Sequence, residues 1–275
     1  LIALVTCNKK CNNFGSSDYS SKENTLRIIC ELLFENGYET SFVAGILGNV
    51  FHEASIGQFE SSAYKDETRK PQFLKDMDEL YEYASNYSGK FVYDDDVSLT
   101  ELNELMEKLK ADNWEKGKFG LGCIQWTADR TYTLVQLYNE ECGNKEKITL
   151  DQAIAAEGKM IIKELSDSNS FLHVYKSWSD NTLDKSTAQA AYDAGVKVCK
   201  EYEKPKDADS TVDERGNTAK AIYEIIIASE KDEDTTTSEI SENINSPEKC
   251  QCYNDYIQNS EKTDEECSKK IKDFL

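Results

Sequence analysis

The sequence predicts a mainly α-helical domain with a small β element in its middle, and three observations carry that prediction. Apolar residues recur at the i, i+3, i+4, i+7 spacing of amphipathic helices in segment after segment. Only three prolines interrupt 275 residues. Glycines gather in one short central stretch, Gly117, Gly120 and Gly122, where they favour a hairpin or tight loop over a helix.

Taken in order, residues 1–20 open with LIALVT, without a methionine. They read as the end of a signal-peptide apolar region followed by an irregular Asn/Ser/Lys-rich stretch. A helix follows in NTLRIICELLFENGYE, with Asn24 at its N-cap and Gly37 as its stop. The next helix, capped by Thr40 or Ser41, carries VAGILGNVFHEAS, in which Phe42, Val43, Ile46, Leu47, Val50 and Phe51 form a one-sided buried stripe. Residues 60–95 read as a helix, a turn around Gly89 and a short strand over residues 91–93. Helical spacing returns in LTELNELMEKLK, and after the glycine-rich GKFGLGCIQWTADR it resumes in LDQAIAAEGKMIIKEL, around residues 171–178, in STAQAAYDAGVKVCKEYEKP and in ERGNTAKAIYEIIIASE. Residues 21–229 therefore form the folded domain. Residues 230–249 read as an acidic Ser/Thr-rich linker, and residues 250–275, with three cysteines, as a disulfide-pinned tail.

Charge and cysteine usage narrow the function classes. With 52 acidic against 32 basic side chains the net charge is −20, a surface that repels phosphate backbones and anionic membranes, so nucleic acid and membrane are excluded as partners. No apolar run approaches the roughly 20 residues that span a bilayer. Nine cysteines suit an oxidising, extracellular setting with disulfides. Their spacings, Cys7-x3-Cys11 and Cys250-x-Cys252, are not zinc-ribbon spacings, and with only His52 and His173 to help no metal site and no cofactor are expected. Oligomeric state stays open.

One residue breaks the apolar pattern. Glu53 lies three positions after Val50 and seven after Ile46, at the C-terminal end of a helix with a buried face. Desolvation and the negative end of the helix dipole both favour the protonated form of a carboxyl there. A carboxylic acid that keeps its proton is what cleavage of a glycosidic bond requires, because the leaving sugar oxygen must be protonated as the bond breaks. Gln125 and Trp126 directly follow the glycine-rich turn, where an amide and an indole suit the hydroxyl edges and apolar faces of sugars. GKFGLG lacks the order of a phosphate-binding loop. A second carboxylate is sought among Asp94, Asp95, Asp96 and Glu60, and the sequence does not choose among them.

GILGNVFHEAS followed by GLGCIQWTADR resembles the motifs of the phage tail lysozyme domain, a lysozyme-superfamily muramidase module. The later EYEKPKD and ERGNTAKAIYE are similar to that family's closing aromatic-x-x-Pro loop and Arg-bearing last helix. The resemblance implies a lysozyme-like α+β fold with a small β-hairpin over residues 21–229. It implies Glu53 as the catalytic acid, with Gln125, Trp126 and Arg130 in a groove-forming hairpin. AAYDAG also resembles the A-Y-N-A-G motif of lytic transglycosylases, which would put Tyr192 near the acid and in contact with substrate. The sequence departs from the family after the glutamate, with Ala54 where Ser is usual and IGQFE in the following loop.

The expected function is that of a secreted muramidase acting on bacterial peptidoglycan. The alternatives are a lytic transglycosylase, or an inactive glycan-binding or structural module on the same scaffold.

Overall fold

The computed structural model describes residues 11, 13–53, 55–59, 87–111, 120–143, 145–205 and 208–244. The chain divides into two compact units, 1–227 and 228–275, and the candidate site lies wholly in the first.

Helix α1 (Glu23–Glu35) buries Leu26, Ile29, Cys30 and Leu33 along one face and stops at Asn36 and Gly37, whose φ of 81° costs a residue without a Cβ little. Asn24 is not its cap. The helix starts at Glu23, and the Asn24 amide instead reaches Asp151. The sulfurs of Cys11 and Cys30 are placed as a disulfide, Cα–Cα 6.0 Å apart, tying the N-terminal turn to this helix.

Helix α2 (Thr40–His52) departs from the one-sided stripe expected of it. Every residue from Ser41 to Val50 is buried, which makes it a central helix surrounded on all sides, as a helix with no polar face must be. Burial of Phe42, Val43, Ile46, Leu47 and Val50 at roughly 1.5–3 kcal/mol each fixes the rod on which Glu53 ends. Its N-cap is Glu39, not Thr40 or Ser41; the Ser41 hydroxyl donates to the Lys185 carbonyl at 2.5 Å.

Six further helices follow α2 among the described residues, α3 (Leu99–Ala111), α4 (Asp129–Cys142), α5 (Leu150–Ser166), α6 (Leu172–Asn181), α7 (Ala188–Val198) and α8 (Ala208–Ile244), and α1, α7 and α8 pack directly on α2. A π-helical turn, Cys199–Glu203, follows α7 directly. The most extensive packing is α2 on α7, then α4 on α5 and α1 on α5. Thr149 closes a capping box with Gln152 at the start of α5, and the Thr187 hydroxyl accepts from Ala190 N–H at the start of α7. Residue spacing predicts no helix over α4, which the structure adds. Residues 230–244, read as linker, continue α8 as helix.

The β element is smaller than expected. Among the described residues it consists of isolated bridges, Gln58 with Phe91, Phe59 with Leu121, and Leu121 with Trp126. The strand expected over residues 91–93 is reduced to the Phe91 bridge, because the Asp94 carboxylate accepts from Phe91 N–H and turns the chain. The hairpin is one tight turn closed by Leu121 N–H to Trp126 O and Trp126 N–H to Leu121 O, both 3.0 Å. No described helix is long and apolar enough to cross a membrane.

Candidate active site

Three helices approach so closely that only glycine and alanine fit between them. A Cβ on Gly45 would stand 2.5 Å from the Ala194 Cβ of α7, one on Gly48 would stand 2.8 Å from the Ala219 backbone N of α8, and one on Gly195 would stand 2.8 Å from the Ala219 Cβ. The Asn49 side chain crosses the same seam, donating to the carbonyls of Gly45 and Gly195 at 2.8 and 2.9 Å. The G-I-L-G-N run and the A-G pair of AAYDAG are thus two sides of one contact. It delivers the end of α2 against α8.

There the helix stops. Glu53 takes extended geometry (φ −81°, ψ −177°), its N–H still bonded to Asn49 O. Lys22 donates to the carbonyls of Val50 and Glu53 at 3.3 and 3.0 Å, placing a cation on the negative end of the helix. The Glu53 side chain, 18% exposed, bonds the Arg215 guanidinium of α8. His52 turns to α8 as well, with Nε2 2.7 Å from the Thr218 hydroxyl and Nδ1 3.5 Å from Glu214.

A second carboxyl shares this place, and sequence spacing gave no hint of it. Glu203, at the end of the π turn, is 3% exposed, lies against Glu53, and has Oε1 3.7 Å from Arg215 Nη2. Neither of its oxygens meets a hydrogen-bond donor among the described residues. Burial first, and then the hydrogen bond and negative charge of Glu53, push Glu203 up to about 10. Burial draws Arg215 down to about 10, which leaves it a cation at neutral pH. Two glutamates and one arginine therefore meet at the end of α2, and burial favours the neutral form of Glu203. Tyr202, one residue earlier, is anchored by donation of its hydroxyl to Glu164 at 2.7 Å, and Lys204 turns left-handed (φ 56°) immediately after. Glu203 is held from both sides.

The 120–126 turn is fastened by two buried glutamates of α5. Glu157 accepts from Gly57 N–H (2.6 Å), Cys123 N–H (2.7 Å) and the Tyr138 hydroxyl (2.7 Å). Burial pushes its carboxyl up, while those donors offset part of the cost. Glu164 accepts from the Trp126 indole at 2.9 Å and holds Arg130 bidentately, Nε at 2.6 Å and Nη2 at 2.9 Å.

These contacts reassign several sequence-predicted residues. Trp126 is fully buried and anchors the turn; its ring does not wall a groove. Arg130 is spent on Glu164 and lies over the Phe171 ring at 4.9 Å. Gln125, with φ 52°, folds back to donate to Gly122 O at 2.8 Å, and is half-buried beside the surface of the turn. Tyr192 packs on Gly216 and donates to Asp213 at 2.7 Å, two residues before Arg215. Of the carboxylate candidates, Asp94 caps its own turn, while Asp95 and Asp96 pair with Lys147 and Lys90. Glu60 and Ala54 lie outside the described residues. Among the described residues no three His, Cys, Asp or Glu side chains converge as metal ligands would.

Comparison with known families gives one result. The family model for phage tail lysozyme matches residues 24–226, a span that holds Glu53, Glu203 and Arg215. No curated protein and no solved structure matches the chain.

Proposed function

The chain belongs to the phage tail lysozyme family, and from that premise we propose that it is a secreted muramidase that cleaves the β-1,4 glycosidic bonds of bacterial peptidoglycan with Glu53 as general acid. The observation that carries this reading is the end of α2: a partly exposed carboxyl closing a helix that is buried from Ser41 to Val50, backed by a second, buried carboxyl and an arginine. Glu53 gives that proton to the leaving sugar oxygen as the C1–O bond breaks, and the ring left behind takes oxocarbenium character. The turn at Gln125 and the Tyr192 ring are the places where sugar contacts are expected. Pairing of Cys11 with Cys30 is consistent with secretion.

Glu53→Gln keeps size and hydrogen bonding but has no acidic proton. Release of reducing ends and soluble muropeptides from purified peptidoglycan should fall by roughly 10²–10⁴ in the variant. Full activity of Glu53→Gln would remove Glu53 from the mechanism. Binding of peptidoglycan or chitin by a wild type that cleaves neither would make the chain a binding module.

A specific observation also favours transglycosylation. The Glu203 side chain is 3% exposed and lies behind the partly exposed Glu53, which leaves Glu53 as the carboxyl that faces substrate, and a mechanism in which the substrate's own hydroxyl attacks C1 needs no second one. 1,6-Anhydro products would identify that route, and reducing ends alone would identify hydrolysis.

A further inference from the structure

Glu203 has no structural task that an ionised carboxylate would perform. Both of its oxygens are buried and lack donors among the described residues, it stands against another carboxyl, and Arg215 is bonded to Glu53 and only 3.7 Å from Glu203. An ionised pair in this position would set two like charges together out of water against one cation, whereas a single shared proton turns the contact into a charge-assisted hydrogen bond. The other groups facing the pair do not change this balance. Cys199, on the same π turn, is a thiol that burial pushes further toward its neutral form. Lys22 bonds backbone carbonyls, Cys123 and Glu157 are tied to one another, and His52 is turned to Thr218 and Glu214.

We propose that Glu203 is the proton store of the site, a neutral carboxyl that donates to Glu53, holds it in place, and reprotonates it during each turnover. This rests on the muramidase reading for its turnover step only. In that step the one proton of the pair passes from Glu203 to Glu53 and on from Glu53 to the leaving oxygen, which leaves both carboxylates ionised beside Arg215. The water or substrate hydroxyl that attacks C1 then loses its proton back to Glu53, and the pair again holds one proton. Glu203 does not touch the sugar and is a positioning residue. Its consequence is a working range that extends to neutral pH, where a lone solvent-exposed glutamate has lost its proton.

The test combines a pH profile with a direct reading of the proton. Glu203→Gln keeps the donor to Glu53 and removes the store. We expect KM on peptidoglycan fragments to hold while kcat falls with rising pH, by about tenfold or more at neutral pH, the alkaline limb moving down by at least about one pH unit. Glu203→Asp, which restores a titratable carboxyl, should recover part of that limb. A Glu203→Gln profile that superimposes on wild type overturns the proposal. Independently of turnover, carbon-13 NMR of glutamate-labelled full-length protein should show one carboxyl still protonated at pH 7 in wild type and absent in Glu203→Gln. If every glutamate is ionised at pH 7 the store does not exist. If the protonated carboxyl is present in a protein that cleaves no glycan, the shared proton stands and the muramidase reading falls.

Discussion

A residue that keeps a proton in the folded state and releases it in the unfolded state makes stability depend on pH, and Glu203 is such a residue. Its folded value of about 10 lies far above the ordinary 4.5. Between those values the unfolded chain binds fewer protons than the folded one, so stability falls as pH rises. The contribution of the neutral carboxyl is therefore complete below about pH 4.5 and is lost progressively up to about pH 10. By neutral pH the loss is on the order of 3 kcal/mol for a side chain this deeply buried. Gln cannot ionise in either state. The melting temperature of Glu203→Gln should therefore exceed that of wild type by a margin that grows from about pH 5 to about pH 8. A margin that stays constant with pH would mean that Glu203 ionises alike in both states.

At the scale of elements, the proposed catalysis by Glu53 depends on how closely α2 and α8 pack. Gly48→Ala places a Cβ 2.8 Å from the Ala219 backbone and 3.0 Å from the Arg215 carbonyl. Neither is a flexible side-chain tip, so the helices must separate, at a cost of about 1–3 kcal/mol. Because Arg215 rides on α8 and Glu53 on α2, the separation also loosens their bond. Gly48→Ala should lower both thermal stability and kcat; an unchanged kcat would show that the site tolerates a wider seam. The same elements show what was legible in the sequence. Amphipathic spacing gave α1, α3 and α5 through α7, where one face is buried and the other wet. It failed at α4, whose Thr131, Thr133, Val135, Tyr132 and Tyr138 weaken helix propensity and hide the Leu134–Val135–Tyr138–Cys142 face. It misdescribed α2, whose surroundings on all sides are a tertiary fact. Glu53 was readable as a charge closing an apolar run. Glu203, 150 positions later in EYEKP, was not: no periodicity marks a carboxyl that meets its partner only through a π turn and a left-handed Lys204. From sequence, Trp126 suits a groove as well as a core, because an indole beside glycines fits both. The Glu164 carboxylate decides for the core.

For the molecule as a whole, the dominant fact is a net charge of −20, which under the proposed function is set against a wall polymer that is itself anionic. Repulsion of this kind acts on encounter more than on chemistry, and it is screened over a Debye length of about 30 Å at 0.01 M salt and about 8 Å at 0.15 M. Two levers follow. Raising salt in that range at neutral pH should increase kcat/KM on intact, anionic cell walls several-fold. The same change should leave cleavage of short, uncharged glycan fragments nearly constant, because a small neutral substrate feels no net repulsion. Lowering the pH toward about 5 begins to neutralise surface carboxylates and should have the same effect on intact walls without added salt. The proposed Glu203 store would make the two levers separable, since its proton would keep Glu53 competent on small fragments at neutral pH while encounter with whole walls is still suppressed. A wall-degrading rate that falls as salt rises would reverse the argument. It would mean that a local basic surface steers the substrate despite the net charge, and the partner surface would then have to be sought in that patch.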